Sequence, residues 1–171
     1  MERFDVKRGL VKQVTSNGGL AVLARDYFDN IEDTGDNSFN GSHDIMTSIV
    51  ASYNEQGALV VDITNVPPDF DDPEAVKSAM EARKNWTSFL DAATGYNSKQ
   101  RGDKAKEWAK KASKAKSGIS AARHFMSMSQ NIPEEVSEQA ESMIEEIEAA
   151  LEQGDNTKAA GCAGKLAKLL E

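Results

Sequence analysis

The sequence has 171 residues, of which 39% are hydrophobic and 28% are charged, with 12 glycines and 4 prolines. This composition is typical of a folded soluble protein near the size of one domain, and it excludes collagen-like, disulfide-rich and disordered chains. The one cysteine, Cys162, excludes an internal disulfide and any zinc site built from paired thiolates. No apolar run approaches roughly 18 residues and no signal peptide opens the chain, so we expect a cytoplasmic protein with no membrane partner.

The charge is distributed unevenly along the chain, which has a formal net charge of −8. Residues 1–98 carry 8 basic and 16 acidic side chains, residues 99–123 carry 9 and 2, and residues 124–171 carry 3 and 10. A basic segment therefore stands between two acidic blocks. The net charge argues against a protein coated in nucleic-acid-binding surface, but it does not exclude one basic patch.

The N-terminal part of the sequence predicts a short strand followed by a helix. Arg3 to Val6 alternate in character, and Ser16 to Gly19 then form a turn signal. A helix of about ten residues is predicted from Leu20, because apolar residues follow at helical spacing. Gly18 and Gly19 could present backbone N–H groups to a phosphate at this point, but the longer phosphate-loop pattern is missing and an ordinary lead-in to the helix is the favoured interpretation.

The next segment predicts a loop and a β-hairpin. Asp29 to Asp44 is rich in Asp, Asn, Ser and Gly, whose side chains favour turns, so we expect a loop there. Ile45 to Tyr53 and Ala58 to Val66 are rich in strand-forming residues and flank a turn at Asn54 to Gly57. In the second run apolar residues alternate with polar ones, which predicts a strand with one buried side.

Four helices are predicted after the hairpin. Asp72 is suited to cap the first, with Pro73 at the first helical position, and Gly95 is suited to end it. The second runs from Ser98 to about Ser127, the third begins near Pro133, and Gly154 turns the chain into the fourth. We therefore predict an α+β fold, with a small antiparallel β-sheet packed against helices in residues 1–97. Residues 98–171 are predicted as a helical hairpin or three-helix bundle of one long basic helix and two acidic amphipathic helices.

Two faces of the long helix are candidates for function. Apolar residues at intervals of 4, 3, 4, 3 and 4 form a helix-packing seam that needs a partner helix: Trp108, Ala112, Ala115, Ile119, Ala122 and Met126. Basic residues, several on the opposite side of the helix, form a candidate surface for a polyanion or a protein partner: Lys99, Arg101, Lys106, Lys110, Lys111 and Lys114. The alternative is a solvated face whose lysines pair with the acidic residues between Glu134 and Glu152.

Several short patterns resemble a family of short, functionally uncharacterised archaeal domains. Those domains open on a strand with Lys-Arg-Gly and close on a helix with a Phe-Leu and Thr-Gly-Tyr signature and a basic tail. The matching pieces here are Lys7-Arg8-Gly9, Leu59-Val60-Val61-Asp62, Phe89-Leu90, Ala93-Thr94-Gly95-Tyr96 and the basic run from Lys99. The resemblance covers about residues 1–110. It implies an archaeal cytoplasmic protein with a compact βαββα-type domain, and it supplies no catalytic residues.

The sequence assigns no catalytic, cofactor-binding or metal-binding residue. His43 and His124 are the available bases, and neither lies in a motif that pairs it with a nucleophile. The acidic loops lack the alternating carboxylate order of a calcium loop, and Cys162 has the small apolar neighbours of a packing residue. We therefore expect a non-enzymatic interaction protein whose helical part contacts a protein partner or a second copy. The alternative is a nucleic-acid or ribosome-associated binder acting through the lysines.

Overall fold

The computed structural model describes residues 1–35, 37–129 and 131–171, and it has the α+β architecture that the sequence predicts. Five strands form one antiparallel sheet in the order β1-β5-β4-β3-β2, and the last three helices follow it along the chain. The elements are β1 Glu2–Phe4, α1 Leu10–Ser16, α2 Leu20–Ala24, β2 Asn30–Gly35, β3 Ser38–His43, β4 Met46–Tyr53, β5 Leu59–Asn65, α3 Pro73–Thr94, α4 Ser98–Met128, α5 Glu134–Glu152 and α6 Asn156–Leu169.

The chain divides into two compact units, residues 1–104 and residues 105–171. The boundary predicted after residue 97 falls at the start of α4, whereas the two units divide within that helix. In the part of the chain that the structure describes, no helix is both long and apolar enough to cross a membrane.

The hairpin and the capped helix of the first unit form as predicted. β4 and β5 pair antiparallel, with Tyr53 opposite Leu59 next to the turn. The Asp72 side chain accepts a hydrogen bond from the Glu74 backbone N–H (3.0 Å), and Gly95 ends α3 with a φ of 73°, in the left-handed region that glycine favours. The buried Tyr53 hydroxyl donates to the Ala93 carbonyl (2.7 Å), and this bond joins β4 to the end of α3.

The loop predicted for Asp29 to Asp44 is wrong, because β2 and β3 form a second antiparallel hairpin there, with residue 36 outside the described residues. Phe39 of β3 is fully buried, with its ring 5.7 Å from that of Phe89 on α3. Burial of this aromatic side chain outweighs the turn preference of its polar neighbours. At Gly41 an added Cβ would lie 2.5 Å from the Asn30 carbonyl oxygen, so a glycine allows β2 and β3 to approach each other.

The first helical region also differs from the prediction. The sequence predicts no helix at the position of α1, and α2 has five residues instead of about ten. Both helices are short enough that packing determines them more than helix propensity, and α1 buries Val14 in the core of the sheet. The order β1-α1-α2-β2-β3-β4-β5-α3 therefore replaces the βαββα order that the family resemblance implied.

The second unit is built from the part of α4 after residue 104, with α5 and α6. Its core consists of small and branched side chains from all three helices, including Ala115, Ile144 and Leu166. Gly154, with a φ of 72°, turns the chain between α5 and α6. Of the last two helices, α5 is acidic, but α6 carries three lysines and no carboxylate. The prediction of two acidic helices after α4 is therefore wrong for α6.

Candidate interaction surface on the long helix

The apolar seam of α4 packs inside the second unit. Ala115, Ile119 and Ala122 are buried in the core with residues of α5 and α6, and the other three members of the seam, Trp108, Ala112 and Met126, are half-buried. The partner helices that the heptad spacing needs are therefore α5 and α6 of the same chain. The seam is not an open surface for a second molecule.

Two hydrogen bonds fix the start of this packing. The Trp108 indole N–H donates to the Gly154 carbonyl (3.4 Å), and the buried Asn156 amide donates to the Trp108 carbonyl (3.1 Å). These bonds attach α4 to the turn between α5 and α6. Cys162 is buried in the same core, as the interpretation of this cysteine as a packing residue expects.

α4 and α6 approach each other closely at Gly118. A Cβ added to Gly118 would lie 2.9 Å from the Ala163 Cβ, so the two helix backbones are close at this point. Gly161 and Gly164 of α6 behave differently, because an added Cβ there would meet no atom within 4 Å. On the α6 side, Ala163 lines this close approach.

Arg101 does not belong to the basic surface predicted for α4. Its side chain is 6% exposed and forms an ion pair with Asp91 of α3. The guanidinium also donates to the Tyr96 carbonyl and to the Ser98 hydroxyl (3.0 Å for the latter). Arg101 therefore joins the start of α4 to the end of α3, and its assignment to a polyanion-binding surface is wrong.

The lysines predicted for this surface are exposed. Lys99 lies in the first turn of α4, and Lys111 donates a hydrogen bond to the Thr157 hydroxyl of α6 (3.1 Å). Lys106, Lys110 and Lys114 follow one another at intervals of four residues, which is about 6 Å along a helix. We call these three residues the lysine row. Its ammonium groups lie on the side of α4 that faces away from the core of the second unit.

The same side of α4 becomes apolar beyond the lysine row. Ala121 is exposed, Phe125 is 43% exposed and Met128 is 71% exposed. At 100° per residue these three side chains point in broadly the same direction as Lys110 and Lys114. We call Ala121, Phe125 and Met128 the apolar end, and we call the lysine row and the apolar end together the outer face of α4. From the sequence, Met128 is interpreted as a core residue, with an adaptable protein-binding groove at residues 126–128 as the alternative, and Ala121 and Phe125 are not singled out.

Two glutamates of α5 pair with basic residues that lie outside the predicted surface. Glu148 accepts from the Arg123 guanidinium (2.9 Å), and Glu146 forms an ion pair with Lys158 of α6 (3.1 Å). The hydrogen bond and the charge of Glu146 raise the pKa of Lys158 above its ordinary value. The acidic helix α5 thus neutralises Arg123 of the basic segment.

His43 is held in the first unit by hydrogen bonds at both ring nitrogens. The Nδ1–H group donates to the Asp29 carboxylate (2.8 Å), and the Asn85 side-chain amide donates to Nε2 (3.3 Å). These bonds connect β3 with α3 and with the residue before β2. Because both nitrogens are engaged within the protein, the arrangement stabilises the fold and leaves no ring nitrogen directed at a substrate. His124 lies exposed on α4.

The Gly18-Gly19 segment is poorly suited to bind a phosphate. The Gly18 N–H donates to the Thr15 carbonyl (3.2 Å) and the Gly19 N–H donates to the Val14 carbonyl (2.9 Å), so both amides are used within the fold. The Asp33 carboxylate lines the same hollow of about 430 Å³ and would repel an anion. Within the described residues, no group of three His, Cys, Asp or Glu side chains is placed to hold a metal ion.

Comparison with known proteins identifies a family for the N-terminal part of the chain. No curated protein and no solved structure matches. A family model matches residues 1–107, in agreement with the resemblance predicted for about residues 1–110. The match ends within α4, and the outer face from Lys110 to Met128 lies beyond it. The chain therefore belongs to the family described as Domain of unknown function (DUF5611).

Proposed function

We propose that this chain is a non-enzymatic interaction protein, and that the outer face of α4 binds an acidic, partly apolar segment of a protein. The observation that carries the proposal is the exposure of Phe125 and Met128 on the side of α4 that also bears the lysine row. A partner that covers both parts of this face gains apolar burial, at about 25 cal/mol per Å². The lysines add electrostatic steering and help to select an acidic partner.

A non-enzymatic role agrees with the positions of the two histidines. His43 is fixed between Asp29 and Asn85 in the first unit, and His124 lies on the solvent-exposed side of a helix. General acid–base catalysis needs a base within hydrogen-bond reach of the reacting group in an enclosed site. The family resemblance adds no catalytic residue. We further propose an archaeal, cytoplasmic setting, in which Cys162 stays reduced.

Nucleic acid is the second candidate ligand, and the spacing of the lysine row favours it. Lysines spaced about 6 Å along a helix axis can follow a phosphate backbone, and affinity from such contacts falls steeply with salt. The burial of Arg101 removes the one arginine from the predicted binding set. The apolar end has no role in binding phosphates, so we place a protein partner first.

Affinity capture from native cell extract with matched variants tests the proposal. We compare the wild-type chain with two face variants, Lys110→Glu with Lys114→Glu and Phe125→Ser with Met128→Ser. The control, Lys165→Glu with Lys168→Glu, makes the same charge change at exposed positions of α6. The proposal predicts a protein that the wild type and the control retain and that both face variants lose. Capture that is the same for all four chains would contradict it.

A binding titration separates the two candidates. If RNA or DNA is the ligand, the lysine variant loses affinity, the Phe125 and Met128 variant keeps it, and doubling the salt concentration weakens binding severalfold. If the ligand is a protein, the chain binds no nucleic acid at low salt, and both face variants lose the captured protein.

A further inference from the structure

The connection between β5 and α3 exposes an aromatic side chain among carboxylates. Phe70 is 76% exposed, and its neighbours in the chain are Asp69 and Asp71. Val66, at the start of the connection, is also exposed, and two prolines follow it. We call residues 66–72 the Phe70 loop. An exposed aromatic residue with acidic neighbours is the chemical complement of a surface that combines lysines with apolar side chains.

Local hydrogen bonds restrict the conformation of the Phe70 loop. The Val66 N–H donates to the Ile45 carbonyl (2.8 Å) and attaches the start of the loop to the turn between β3 and β4. The Asp71 N–H donates to the Asp69 carboxylate (3.0 Å), and the Asp72 N–H donates to the Asp69 carbonyl (3.3 Å). The prolines restrict φ, so the loop loses little conformational entropy when it binds. Preorganisation of this kind favours a recognition element over a loop that simply connects two elements.

The outer face of α4 offers the matching chemistry. Lys114 and Ala121 are seven residues apart, about 10 Å along the helix. The flexible four-carbon side chain of Lys114 can extend along the helix, so that its ammonium group comes closer to Ala121 than the backbone positions are. Adjacent loop residues are about 3.8 Å apart, so the Phe70 ring can cover the apolar end while an aspartate reaches Lys114. The net charges of the two parts are also complementary. Residues 1–104 carry 11 basic and 17 acidic side chains, whereas residues 105–128 carry 6 basic side chains and 1 acidic side chain.

We propose that the partner of the outer face is a second copy of this chain. The Phe70 ring of one copy packs on the apolar end of the other, and Asp69 and Asp71 lie against Lys110 and Lys114. This inference rests on the proposed function and names the partner. The contact joins two different surfaces, so each copy carries both halves of it and variants that lack different halves can complement each other.

Sedimentation equilibrium of the purified full chain over a wide concentration range tests the inference. We expect the wild type to self-associate. Phe70→Ala should raise the dissociation constant of this association at least tenfold, because an aromatic anchor at the centre of a contact contributes a large part of the binding free energy. Met80→Ala is the matched control, since Met80 is also largely exposed in the first unit and lies outside the loop. Circular dichroism establishes that each variant is folded.

Mixing two defective variants gives the decisive result. Phe70→Ala has an intact outer face, and Lys110→Glu with Lys114→Glu has an intact Phe70 loop. Each variant alone associates weakly, and an equimolar mixture forms a one-to-one complex. A second test reverses the charges: Asp71→Lys and Lys114→Glu each weaken association, and the chain with both changes recovers it.

Three outcomes overturn the inference: a wild-type monomer at every concentration, equal association of Phe70→Ala and Met80→Ala, or no complex in the mixture. If capture then still identifies a protein that the face variants lose, the proposed function stands with another partner. If capture also shows no difference among the variants, both proposals fail.

Discussion

Gly118 lies at a close contact between α4 and α6, and its replacement by alanine has two opposing effects on stability. Alanine raises helix propensity by about 1 kcal/mol relative to glycine in a helix interior. The new methyl group would stand 2.9 Å from the Ala163 Cβ, whereas carbon atoms in contact prefer about 3.5 to 4.0 Å. Neither Cβ is the end of a flexible side chain, so relief requires the two helices to move apart.

The expected change in the free energy of unfolding for Gly118→Ala follows from a comparison with Gly161. Gly161→Ala gains the same propensity and its Cβ meets no atom within 4 Å, so we expect a stabilisation of about 0.5 to 1 kcal/mol. Overpacking typically costs about 1 to 3 kcal/mol, so Gly118→Ala should be neutral or destabilised by up to about 2 kcal/mol. For a chain of this size, 1 kcal/mol changes the Tm by about 2 to 4 °C.

Thermal unfolding followed by circular dichroism measures both variants under identical conditions. We expect Gly161→Ala to raise the Tm and Gly118→Ala to leave it unchanged or lower it. Gly164→Ala, at a second open position of α6, should behave like Gly161→Ala. An equal rise in Tm for Gly118→Ala and Gly161→Ala would refute the close approach of α4 and α6 from which the prediction is made.

Three further predictions concern residues that hold the first unit together. Arg101→Ala should reduce the free energy of unfolding, measured in urea, by about 2 to 3 kcal/mol, because hydrogen bonds to a buried charged group are lost. Lys99→Ala is the control, and this change at an exposed position should alter the free energy of unfolding by less than about 0.5 kcal/mol. Asp72→Ala should cost about 1 kcal/mol through loss of the helix cap, measured in the same way. Burial raises the pKa of Tyr53 above its ordinary value of 10.0, so the folded state keeps the phenolic proton better than the unfolded state does. The protonated phenol of Tyr53 therefore contributes fully to the free energy of unfolding below pH 10, and this contribution is lost as the pH rises above that value. Tyr53→Phe should remove this part of the loss of stability at alkaline pH, measured by urea unfolding at a series of pH values.

The sequence predicts those elements whose signals are local and strong. α3 combines an aspartate cap, a proline at the first helical position and a terminal glycine, and the structure shows each of these features in its expected role. The hairpin of β4 and β5 has clear alternation, and the seam of α4 keeps a regular spacing over several turns. In these segments local preference and tertiary packing favour the same structure, so the pattern alone is sufficient.

The prediction fails where long-range contacts decide the structure. The polar residues around Phe39 favour turns, but the burial of this one side chain against α3 makes the segment a strand. Arg101 looks like its lysine neighbours in sequence, and only the fold brings it to Asp91. The exposure of the apolar end could not be predicted either, because the sequence does not show which apolar residues the bundle leaves uncovered.

The two tryptophans fall one in each compact unit. Trp86 packs among the aromatic rings of the first unit, and Trp108 is hydrogen-bonded to the turn of the second. Trp86→Phe and Trp108→Phe therefore each leave one fluorophore that reports on a single unit. Coincident fluorescence transitions in the two variants would show that the units unfold together, and separate transitions would give the stability of each.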